Sequence, residues 1–182
     1  MKDNLLFQHN PMVIKIPSPQ KILIIYNPIS SAGNTEAMAC KLETELMFHG
    51  KTVEVRTSEK KMKGYMRISD DIAASDLVVV VGGDGTIRKL LDIINKTATP
   101  IYAIPGGNES LFARFYEMSA SAEDLLQSIT SGTCLQQFYG LISGKGIQGE
   151  KPFFNMASMG LDSLTVKNIG KRKGPLNDSI YV

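Results

Sequence analysis

Leu77-Val-Val-Val-Val81 runs straight into Gly82-Gly83-Asp84-Gly85-Thr86, and Ile87, Leu90, Leu91 and Ile94 follow at helical spacing. β-Branched residues dominate the first stretch, which predicts a strand. The last four apolar residues predict a helix with one buried face. Glycines between the two let the backbone turn sharply and approach a phosphate with no Cβ in the way. The helix start aims N–H groups and its positive dipole end at the same place. Asp84 is the informative residue. A carboxylate beside phosphates repels them unless it works through Mg²⁺ or accepts a proton from an attacking hydroxyl. The plainer reading is a helix cap, for which one small polar residue is enough and three glycines are not needed.

Outward from this centre the chain alternates strands and helices. Lys21-Ile-Leu-Ile-Ile-Tyr26 is a continuous apolar run, as in a strand covered on both faces. Asn34 is a candidate cap for a helix carrying Met38, Leu42 and Leu46, with Gly50 as its stop. Val53-Glu-Val-Arg56 alternates as a strand, and Tyr65, Ile68 and Ile72 share a face of a second helix. Pro100-Ile-Tyr-Ala-Ile104 predicts another strand. Ser121 and Asp124 resemble a capping box before Leu125, Leu126 and Ile129, and Gly132 ends that helix. Strands separated by helices indicate a parallel sheet with helices on both faces. Residues 1–20, with Pro11, Pro17 and Pro19, read as an extended arm, and residues 21–132 as the α/β lobe. Residues 133–182 read as the start of a second, β-rich lobe. Cys134–Ser143 and Phe153–Ala157 are its expected strands, and the chain stops at Val182 inside what should be the next one.

Composition narrows the function classes. Among 182 residues, 43% are hydrophobic, enough for a real core. A formal net charge of +2 gives no general basic surface for nucleic acid. The local excess at Lys167, Lys171, Arg172 and Lys173 reads as a solvated loop or as a contact for anionic lipid headgroups. Cys40 and Cys134 suggest neither a disulfide framework nor a zinc site, and His9 and His49 are isolated. No leader pattern and no membrane-spanning run is present, so a cytoplasmic protein is expected. The spacing also excludes two common phosphate loops. No lysine stands where G-x-x-x-x-G-K-[ST] requires one, and Thr86, Ile87 and Arg88 break G-x-G-x-x-G.

Gly82-Gly83-Asp84-Gly85-Thr86 is similar to the G-G-D-G-T signature of the diacylglycerol, sphingosine and bacterial lipid kinases, with related forms in NAD kinases and phosphofructokinases. Asn27-Pro-Ile-Ser-Ser-Ala-Gly33 resembles the N-P-x-S-G-x-G opening of the lipid kinases. Pro105-Gly-Gly-Asn-Glu-Ser-Leu-Phe-Ala-Arg114 resembles their P-x-G-T-x-N-D-F-A-R, and Phe153 to Gly160 their F-x-N-x-x-x-x-G. These elements separate the lipid kinases from the NAD kinases, and the resemblance runs from about residue 21 to the end.

The resemblance implies an α/β, Rossmann-like parallel-sheet lobe of the phosphofructokinase and NAD kinase type, followed by the beginning of a β-rich lobe. It implies γ-phosphoryl transfer from Mg²⁺–ATP to a lipid hydroxyl, on diacylglycerol or a sphingoid-like lipid, with peripheral placement at a membrane surface. It carries nucleotide contacts onto Asn27, Thr57, Gly82, Gly83, Asp84, Gly85, Thr86, Ile87, Arg88, Gly107 and Asn108, with Asp84 as the catalytic position. Asn27 also reads as a turn residue and Thr57 as a solvent-facing strand end.

The pattern is broken in places. Asn108 replaces threonine, Ser110 replaces asparagine, and Arg88 and Lys89 stand where the family has Asn and Glu. The family's general base and structural Mg²⁺ site come from later in the second lobe, where nothing here matches. Exposed strand edges in that lobe lead to the expectation of homo-oligomers. The alternatives are a non-catalytic nucleotide-binding fragment or degenerate paralogue and, further off, an NAD kinase.

Overall fold

The computed structural model describes residues 12–30, 33–58, 68–145, 147 and 149–154. Its elements follow in the order β1 (Met12–Lys15), β2 (Lys21–Tyr26), α1 (Thr35–Phe48), β3 (Thr52–Thr57), α2 (Ser69–Ala73), β4 (Leu77–Gly82) and α3 (Asp84–Thr97). Then come β5 (Ile101–Pro105), α4 (Leu111–Phe115), α5 (Ala122–Ser131), β6 (Thr133–Gln136), β7 (Gly140–Ile142) and β8 (Lys151–Phe153).

Four of these strands form one parallel sheet in the order β3-β2-β4-β5. The alternation of side chains across the pleat divides the core in two. Leu23, Ile25, Val78, Val80 and Ala103 meet Ile72 of α2, Ile87, Leu90 and Ile93 of α3, and Phe112 of α4. Ile22, Ile24, Val79, Val81 and Ile104 meet Ala39, Leu42 and Leu46 of α1 and Leu125 and Ile129 of α5. All six residues of β4 are buried. Fully burying one such side chain contributes about 1.5–3 kcal/mol, so this strand is the sheet's hydrophobic axis. The α/β architecture is the one expected from the alternating pattern.

Local signals differ in how they are used. Gly50 and Gly132 take φ of +75° and +57° beyond α1 and α5, the left-handed turn that ends a helix without cost to glycine. Ser121 Oγ accepts from the N–H groups of Glu123 and Asp124. The reciprocal half of the expected capping box is rerouted: the Asp124 carboxylate accepts from Ser119 Oγ, which in turn accepts from the Ser121 N–H. Aspartate is one methylene shorter than the glutamate that normally reaches back. Asn34 occupies the cap position of α1 but makes no side-chain cap bond. The second helix begins at Ser69, with Ile68 and Ile72 buried; Tyr65 lies outside the described residues.

Outside the main sheet, two antiparallel pairs stand apart. β1 pairs with β6, so residues 12–15 of the expected arm are strand, with all four side chains exposed. β7 pairs with β8, and the expected continuous strand from Cys134 to Ser143 is broken between Gln136 and Gly140. Of the strand expected at Phe153–Ala157, residues 155–157 lie outside the described residues, as do Lys167, Lys171, Arg172 and Lys173. Among the described residues no helix is long and apolar enough to cross a membrane.

Candidate functional site

The strand order β3-β2-β4-β5 reverses direction between β2 and β4. The chain leaves β2 toward one side and β4 toward the other, so the loops after these neighbouring strands diverge and leave a crevice. Open α/β sheets take ligands at this switch point, beyond the carboxyl ends of the strands. A cleft of about 290 Å³ lies there, lined by Asn27, Ile29 and Ser30 from the β2 side and by Gly83, Gly85, Thr86, Arg88 and Lys89 from the β4 side.

The loops after β2, β4 and β5 are joined through their backbones. The Asn27 N–H donates to Val81 O at 3.0 Å, and the Gly106 N–H to Gly82 O at 3.0 Å. Ser30 Oγ donates to Gly106 O, and Thr35 Oγ1 donates to Asn27 O at 2.7 Å. Gly83 and Gly107 are in direct contact: a Cβ added to Gly107 would sit 2.7 Å from Gly83 Cα. Backbone meets backbone here, so Gly107 has no room for a side chain and Gly83 has little. Gly85 is different. A Cβ there would meet nothing within 4 Å, and its φ lies outside the left-handed region. Among the described residues neither packing nor backbone geometry requires glycine at 85.

Asp84 is the first residue of α3, yet its carboxylate serves another element. Oδ2 accepts from the Leu111 N–H at 2.9 Å and Oδ1 from the Phe112 N–H at 2.8 Å, the opening residues of α4. The plainer reading has Asp84 cap its own helix, but that helix has no side-chain cap bond and the carboxylate instead caps a helix 27 residues away. The glycine loop and the β5–α4 loop are locked together by it. Ser110, between them, is buried in the left-handed region at φ +45° and accepts from the Gly107 N–H at 3.1 Å.

The remaining expected positions separate. Gly82 ends β4 and Thr86 is buried under the loop. Arg88 is exposed on the cleft side of α3. Ile87 is core, 2% exposed and packed beneath the sheet, so its side chain has no share in the cleft. Thr57 ends β3, opposite Tyr26 and one strand beyond the crevice; Asn108 is exposed in the β5–α4 loop. Neither lines the cleft. Ile29, Ser30 and Lys89 do line it and were not among the expected contacts. The Asn27–Gly33 stretch contains the first two, and Lys89 follows Arg88 one residue on, so their signal was in plain sight.

The donor set suits phosphate better than a metal held by protein side chains. Two cations and a helix N-terminus face the cleft, whereas among the described residues no group of three His, Cys, Asp or Glu side chains could hold an ion. Cys40 and Cys134 are free thiols, and burial pushes that of Cys134 up, away from the reactive thiolate.

Residues 21–139 match the family model of the diacylglycerol kinase catalytic domain. A curated protein of Streptococcus pneumoniae serotype 4 named "Putative lipid kinase" is 25% identical over 139 residues, 70% of this chain and 47% of that protein. The chain thus spans about half the length of the curated relative it matches. The crystal structure of a diacylglycerol kinase from Bacillus anthracis str. Sterne superposes with a TM-score of 0.53 at 20% identity, covering 62% of this chain and 42% of that one. At that identity the likeness is one of fold.

Proposed function

Since the chain belongs to the diacylglycerol kinase catalytic domain family, we propose that it binds ATP across the β2–β4 crevice for transfer of the γ-phosphoryl group to a lipid hydroxyl. In that reaction the bond from the γ-phosphorus to the β-γ bridging oxygen breaks, a bond to the lipid oxygen forms, ADP leaves, and the hydroxyl proton passes to a base or to water. Catalysis of this kind is largely positioning and charge neutralisation. The roles follow from what each group can do. Gly83, Gly85 and the first turn of α3 offer backbone N–H groups and a positive dipole end to phosphate oxygens. Arg88 and Lys89 add positive charge. Asp84 holds the β5–α4 loop against the glycine loop and acts as a positioning residue. Asn27 and Ser30 form the opposite wall. Mg²⁺, which kinases of this type use to neutralise the transferring group, has no protein cage among the described residues and would enter with the phosphates.

Gly85 carries this reading, as a glycine that the fold itself does not need. Gly85→Ala tests it by splitting two effects. Alanine inside a helix gains up to about 0.5–1 kcal/mol over glycine, so the folded state should hold or improve. ATP affinity, measured by titration calorimetry, should fall at least about tenfold, a loss of about 1.4 kcal/mol. Unchanged ATP affinity in a folded Gly85→Ala protein would remove the glycine loop from the nucleotide site.

A further inference from the structure

The charge of the cleft bears on which form of the nucleotide it takes. Among the described residues its lining includes Arg88 and Lys89 and no carboxylate. Asp84, the acidic residue of the same turn, already accepts one backbone N–H at each of its oxygens. Among the described residues no ion pair engages Arg88, and no cluster of acidic or histidine side chains is placed for a metal. A protein site that receives its phosphates as a magnesium complex ordinarily contributes one or two carboxylates to the metal. A guanidinium and an ammonium beside a helix N-terminus do the reverse: they repel a dication and attract bare phosphate oxygens. Magnesium also cancels two of the negative charges that these groups would otherwise meet.

Resting on the nucleotide reading above, we propose that Arg88, with Lys89, supplies the counter-charge for the polyphosphate tail, so that the cleft binds the metal-free nucleotide at least as tightly as its magnesium complex. The recognised chemistry is a chain of fully ionised phosphates. Inorganic tripolyphosphate should therefore bind in the same place, and the dependence on added salt should be steep, since the contacts are ionic and the cleft is open to solvent.

The test is titration calorimetry on the full chain with ATP and with tripolyphosphate, each in EDTA and in excess magnesium. Arg88→Gln, Arg88→Lys and Lys96→Gln are compared with the unmodified protein. Lys96 lies in the last turn of α3, at the opposite end of the helix. Both ligands should bind in EDTA no more weakly than with magnesium. Arg88→Gln should lose about tenfold or more in EDTA, as removal of a charge-assisted contact implies. Arg88→Lys should recover part of that loss, and Lys96→Gln should match the unmodified chain; thermal melts confirm that each variant is folded. ATP binding that requires magnesium, or that Arg88→Gln leaves intact, overturns this inference and leaves the nucleotide site standing. Binding of ATP but not tripolyphosphate in EDTA overturns the claim that the tail is what is held. Failure of ATP to bind under any condition overturns the nucleotide reading and this inference together.

Discussion

Asp76 and Asp84 stand at opposite ends of β4, and each uses its carboxylate to hold two consecutive backbone N–H groups from a distant part of the chain. Asp76 Oδ2 accepts from Gln20 at 2.9 Å and Lys21 at 2.8 Å, pinning the entry to β2. Asp84 accepts from Leu111 and Phe112, pinning the entry to α4. The chemistry is the same and the surroundings are not. At the amino edge of the sheet, Asp76 also joins the ladder through its own N–H to Lys21 O, and it is not among the residues that line the cleft. At the carboxyl edge, Asp84 stands among glycines that open a cleft. A carboxylate beside a glycine loop is therefore not by itself a sign of catalysis, because the same motif at the other edge is a fastening.

The strongest way to break the contrast is to close the carboxyl edge. Gly107→Val would drive a Cβ to within 2.7 Å of Gly83 Cα, and backbone cannot yield as a flexible side chain does. Overpacking of this sort costs about 1–3 kcal/mol, and the separated loops should lose measurable ATP binding. Urea denaturation and calorimetry on one preparation would show both.

Next comes removal of the fastenings themselves. Asp84→Ala should cost about 1–2 kcal/mol, typical of a lost helix cap, and should lower ATP affinity as the β5–α4 loop drifts. Asp76→Ala should cost stability but leave ATP affinity where it was. If the Asp76 variant also weakened ATP, the two edges would be one mechanical unit. If Asp84→Ala left ATP untouched, the cap would have no part in the site.

The smallest effect sharpens the amino edge. The backbone N–H groups of Lys21, then Gln20, hold the Asp76 carboxyl below the usual carboxylate range. A group with a depressed folded pKa stabilises the protein above its unfolded pKa, and that stability fades as pH falls through the folded value. Asp76→Asn should therefore lower stability at neutral pH and flatten its decline in acid. Urea midpoints between about pH 5 and about pH 2 measure the slope. An acid limb as steep as in the unmodified chain would place the titrating groups elsewhere.

Much of this was legible in the order of residues. Val78–Val81 and Ile22–Ile25 are apolar on both faces because helices cover both, and such runs read as strands without any knowledge of the fold. The glycine loop was legible for the same reason: it sits where strand pattern gives way to helix pattern. Ile87 exposes the limit of motif reading. It lies within the signature stretch, yet its spacing with Leu90 marks it as core, and the core reading holds for its side chain. The partners of Asp84 were not legible, since Leu111 and Phe112 lie in a segment joined to it only through space. Nor was β1, a four-residue strand with no turn linking it to its partner.

The pairing of β1 with β6 has a consequence for the order in which the molecule assembles. Lys15 Nζ donates to Ser131 O and to Thr133 Oγ1, residues 116 and 118 positions away. These strands have nothing local to nucleate on, and bringing their ends together in an unfolded chain means closing a loop of that whole length. Once the parallel sheet and α5 are formed, β2 and the end of α5 hold both flanks of the ribbon in place, and the remaining search is short; the Ile16 N–H to Gly132 carbonyl bond of 2.9 Å extends the ribbon by one rung. The ribbon is therefore expected to close late. Its protection against hydrogen exchange should appear after that of β4 in refolding, as a clock hand set by the completion of everything between its two strands.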